Sequence, residues 1–89
     1  MAKIEVTKKG AETFEVTVRG ATTTTHTVKL AVDYYQELTG GKVSAETLIE
    51  KSFEFLLERE SNTMILSSFD LPVIGYYFPE FEDTILKRL

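Results

Sequence analysis

The sequence predicts an α+β domain: a three-stranded antiparallel β-meander followed by a short helix, one long central helix and short C-terminal helices. Three observations predict it. Residues 3 to 30 alternate apolar and polar side chains and are broken twice by glycine. Residues 44 to 60 hold the longest helical periodicity in the chain, and Pro72 and Pro79 divide the remainder into short pieces.

The first strand runs over residues 3 to 8, with Ile4 and Val6 on one side and Lys3, Glu5 and Thr7 on the other. The second covers residues 12 to 19, with Phe14, Val16 and Val18 against Glu15, Thr17 and Arg19. All inward residues have even numbers, so direct pairing needs an odd-length turn, such as Lys9-Gly10-Ala11, or a bulge. Arg19-Gly20-Ala21 turns the chain into a third strand over residues 22 to 30, where Thr24, His26, Val28 and Leu30 share a face. The run Thr22 to Thr25 suits a strand but carries no apolar marker, so it specifies register weakly; it reads as a polar edge or hairpin end.

Asp33-Tyr34-Tyr35-Gln36 has the form of a capping box, and Gly40-Gly41 ends the helix it opens after barely two turns. The central helix, from Ser44 to Glu60, has Ser44 as N-cap and Glu46 in its first turn. Leu48, Ile49, Phe53, Phe55, Leu56 and Leu57 span more than half its circumference, so it must be covered on two sides. Its remaining side carries Glu50, Glu54 and Glu58, a row that could dock a basic partner but that ordinarily is a solvated helix face. Beyond it, Met64-Ile65-Leu66 is a short apolar patch, Asp70 is placed to cap a helix with Pro72 in its first turn, and Pro79 opens the last helix. In that helix Phe81, Ile85 and Leu89 align, acidic residues lead and Lys87-Arg88 close.

Length and composition predict a single domain over residues 1–89, large enough to bury about 60 to 65% of its unfolded surface. The absence of cysteine removes disulfides, zinc-thiolate and iron-sulfur chemistry, and thiol nucleophiles. The start Met1-Ala2-Lys3 leads straight into a strand pattern and no run is long enough for a membrane span, so a cytoplasmic protein with no membrane partner is expected. The net charge is -4 and the ten cations are scattered singly except for Lys8-Lys9 and Lys87-Arg88, which counts against nucleic acid as a partner.

No catalytic residue, cofactor or metal site is assigned. His26 is the one histidine, and nothing at motif spacing supplies it with a nucleophile or a second ligand, so it reads as packing. No serine sits in a G-x-S-x-G elbow and no glycine-rich phosphate loop is present. The carboxylates Glu80, Glu82 and Asp83 are explained by the helix dipole. A small enzyme remains the third reading, and it requires His26 to meet a carboxylate in a pocket. The densest aromatic segment holds Phe69, Tyr76, Tyr77, Phe78 and Phe81. Aromatic enrichment marks interface cores, so these five are the expected partner-binding residues, with core packing as the alternative.

From Thr25 onward the order THTVKL, DYYQELTGG, SAETLIEKSFEFLLERE resembles the strand, helix, turn, helix order of ribbon-helix-helix DNA-binding proteins. That resemblance implies a strand paired across a homodimer, with Thr25, Thr27 and Lys29 as the residues reading the major groove, in a regulator or antitoxin. SFEFLLERE and FDLPVIGYYFPEFE are also similar to segments of small bacterial domains of unknown function, which implies a compact domain and supplies no activity. The expected function is therefore non-enzymatic: a small acidic module for protein-protein interaction or self-association, a homodimer included, acting through its aromatic C-terminal segment.

Overall fold

The computed structural model describes residues 3–89; the reading of Met1 and Ala2 as a leaderless start lies outside them. Strands β1 (Lys3–Lys8), β2 (Thr13–Arg19) and β3 (Thr23–Lys29) form the antiparallel meander. Ile4 faces Val18 and Val6 faces Val16, so even-numbered residues pair as the odd-length turn requires. The turn falls one residue later than Lys9-Gly10-Ala11, because the Lys9 N–H bonds the Thr13 carbonyl at 2.9 Å and leaves Gly10, Ala11 and Glu12 to reverse the chain.

The sheet does not stop at three strands. A short β4 (Ser68–Asp70) lies parallel to β3, with Val28 beside Phe69, giving a four-stranded mixed sheet in the order β1-β2-β3-β4. Parallel neighbours need a crossover connection, and residues 30–67 supply it with α1 (Val32–Thr39) and α2 (Ala45–Leu57). Three residues among serines give no alternation to detect, so a purely antiparallel meander was the expectation and a mixed sheet is the result.

Helix α1 begins without the expected capping box. Asp33 sits inside its first turn and Ala31 occupies the cap position, while Glu12 from the first hairpin accepts a bond from the Val32 N–H at 2.8 Å. A carboxylate from elsewhere in the fold thus satisfies a donor that the local sequence leaves open. The other end follows the sequence: Gly40 is left-handed (φ 63°) and its N–H closes on the Gln36 carbonyl at 2.7 Å.

Helix α2 is shorter than the Ser44 to Glu60 pattern. It ends at Leu57 after 13 residues, and the chain then unwinds. Its start is as expected, with the Ser44 hydroxyl accepting the Thr47 N–H at 3.1 Å. The wide apolar arc is explained by two coverings. Phe53 lies between the rings of His26 on β3 (5.5 Å) and Phe69 on β4 (6.0 Å), and Phe55, two residues on, meets Phe81 (5.3 Å) and Phe78 (5.9 Å) on the other side.

After α2 come a 3-10 turn (Asn62–Met64), β4, a short α3 (Val73–Tyr77) and α4 (Phe81–Arg88). Asp70 ends β4 and makes no cap for α3, which Pro72 precedes. Phe81 and Ile85 of α4 are fully buried against α2, and the Tyr34 hydroxyl donates to Glu82 at 2.8 Å, tying α1 to α4. Burial and then the Glu82 carboxylate push the Tyr34 phenol well above its ordinary range.

Candidate functional site

From Ser61 to Pro79 only one residue, Asp70, is charged, in a chain where 27% of residues are. This uncharged stretch wraps the C-terminal end of α2. Between the 3-10 turn and α3 it leaves an apolar groove of about 180 Å³, with Leu56, Ile65 and Ile74 as its buried floor and Met64, Leu66 and Tyr77 at its rim. Glu60 is the one charged side chain in the lining.

The five aromatic residues expected at a partner surface divide. Tyr76 and Tyr77 are 89% and 66% exposed, Phe69 and Phe78 are half-buried groove residues, and Phe81 is wholly inside the core. Phe81 is lost to the surface because its i,i+4 partner Ile85 turns that side of α4 onto α2. Met64 and Leu66, 69% and 47% exposed, were not expected at the site. The signal that identifies them is the depletion of charge, which marks interface centres more directly than aromatic content does.

Thr25, Thr27 and Lys29 lie together on the opposite, open face of the sheet, each exposed. Register places Glu15 beside Thr27 and Asp70 beside Lys29, so cations and carboxylates alternate across this face and no basic patch forms. Strand β3 is paired with β2 along one edge and with β4 over Thr27–Lys29 on the other.

His26 is buried and fully engaged. Its Nδ1 is 2.8 Å from the Leu66 carbonyl, which can only accept, so Nδ1 carries the proton; Nε2 then accepts from the Thr24 hydroxyl at 2.8 Å. Asn62 Nδ2 completes the chain by donating to Thr24 Oγ1 (2.9 Å) and to the Thr22 carbonyl (2.7 Å). The network clasps the segment between α2 and β4 to β3. Neither the groove nor a second depression of about 160 Å³ beside Lys8, Phe14 and Tyr35 has His26 in its lining.

The glutamate row on α2 is partly consumed inside the molecule. Arg88 donates twice to Glu58 at 2.8 Å, while Arg59 lies 3.6 Å over the Phe55 ring and reaches Glu80 at 3.2 Å. The Arg88 hydrogen bonds, aided by the charge of Arg59, hold the Glu58 carboxyl below its usual range. A depressed folded value means that this stabilisation is complete above the ordinary carboxylate pKa and is lost as pH falls through the lowered one. Glu58→Gln is therefore expected to lower Tm slightly near neutral pH, with the gap to the parent protein closing in acid; a gap that widens in acid contradicts the pairing.

Compared with known proteins, this chain matches no family model, no curated protein and no solved structure.

Proposed function

We propose that this protein is a non-enzymatic interaction module, self-association included, and that it binds another protein surface through the groove between the 3-10 turn and α3. The observation that supports the reading is the coincidence of an apolar groove, four exposed large apolar side chains and a 19-residue stretch with a single charge. The largest apolar patch of a small domain often carries function, whereas isolated exposed side chains such as Val32 and Leu86 are ordinary.

The test is site-specific photo-crosslinking in cells that make the protein. A crosslinking amino acid at position 76 is expected to give a discrete protein adduct, and the same probe at position 25 on the open sheet face is expected to give none. No adduct of any mass from position 76 removes the reading.

A further inference from the structure

We infer that the occupant of the groove is a second copy of this chain, related by a two-fold axis, with Tyr76 of each copy entering the groove of the other. The inference rests on the interaction-module reading and adds the identity of the partner. A two-fold contact uses one patch twice, so that patch must contain both a projection and the recess that receives it.

This surface has both. Tyr77 forms part of the groove wall, while Tyr76, about 100° further back around the same helix, is 89% exposed and outside the groove lining. Tyr76 stands beside its own groove as a rigid aromatic projection, and an aromatic ring entering an apolar recess is the usual form of an interface anchor.

Charge favours the same face. Each copy carries a net charge of -4, so a contact that opposes carboxylates is repulsive. At the groove only Glu60 is charged, and Asp70 lies on the open side of the sheet beside Lys29. Strand addition at β4 contributes little, because this edge is three residues long, carries Asp70 and is followed by Pro72. At this face the contact is therefore made by side chains, the longer β1 edge lying at the far side of the sheet.

Area sets its strength. Tyr76 and Tyr77 with Met64 and Leu66 offer roughly 500 Å² per copy, taking about 150–250 Å² for an aromatic side chain. Two copies then bury about 1,000 Å², the lower bound of a specific interface. The dimer is accordingly one that assembles and dissociates with concentration.

Sedimentation velocity on the purified full chain, from about 1 μM to about 1 mM, is expected to show a monomer-dimer equilibrium. Added salt should tighten it by screening the like charges. Tyr76→Ala, at an exposed position, should leave Tm unchanged and weaken dimerisation by about 30-fold or more. Val73→Trp should block the groove and do the same. Mixing the two variants restores one intact tyrosine-groove pair of the two, so the mixture is expected to associate more tightly than either variant alone.

A dimer indifferent to Tyr76→Ala, or variants that fail to complement, would overturn the arrangement. A wild-type monomer across the whole range overturns the second copy as partner. In that case a position-76 adduct with a different protein leaves the interaction-module reading standing, and the absence of any adduct removes both.

Discussion

Phe53→Ala is expected to cost about 3–5 kcal/mol of folding stability, read by urea denaturation followed by circular dichroism. The side chain is wholly buried and touches rings on two strands of the sheet, His26 on β3 and Phe69 on β4. Its loss leaves a cavity where the central helix meets the sheet, and the surrounding β-strands are held by their ladders and cannot collapse to fill it. A domain of this length has a total margin of about 4–13 kcal/mol, so a substantial unfolded population at room temperature is an acceptable outcome. A loss below about 1 kcal/mol would show that the helix is not seated on the sheet through this ring.

His26→Ala should cost about 2–3 kcal/mol, part from the cavity and part from the hydrogen bonds it abandons. The informative readout is local. Amide exchange should accelerate most across Leu66 to Asp70, which the histidine clasps to β3, beyond the smaller rise that the lowered global stability gives β1 and β2. A catalytic histidine on the surface of a cleft would leave both stability and exchange flat on removal. Because His26 and Phe53 are in ring contact, the double variant should fall short of the sum of the single losses by about 0.5 kcal/mol or more.

Much of this architecture was legible in the residues. The inward parity of Ile4, Val6, Phe14, Val16 and Val18 required even-numbered residues to pair in the first hairpin, though not which ones, since the turn falls one residue later than expected, and Gly40 marked the end of α1 with a left-handed backbone. The wide apolar arc of α2 correctly demanded two coverings. What escaped was non-local. Strand β4 has three residues, too few for alternation, and is brought to β3 only by the packing of everything between them. The cap of α1 comes from Glu12, twenty residues away, where local spacing offered Asp33 instead. At the candidate site Tyr76 and Tyr77 are exposed, but Phe81 is core, because aromatic density alone does not say which way a ring turns. The groove itself is a product of tertiary packing, and only the missing charges between Ser61 and Pro79 foreshadow it.

The parallel pairing of β4 with β3 also orders events in time. The meander closes through turns of a few residues, whereas β4 must wait for residues 30–67 to be drawn in, at a larger loop-closure entropy and with slower formation. The groove depends on that last step, since its floor and rim come from residues on either side of β4. A chain in which β4 has not yet seated therefore lacks the complete groove.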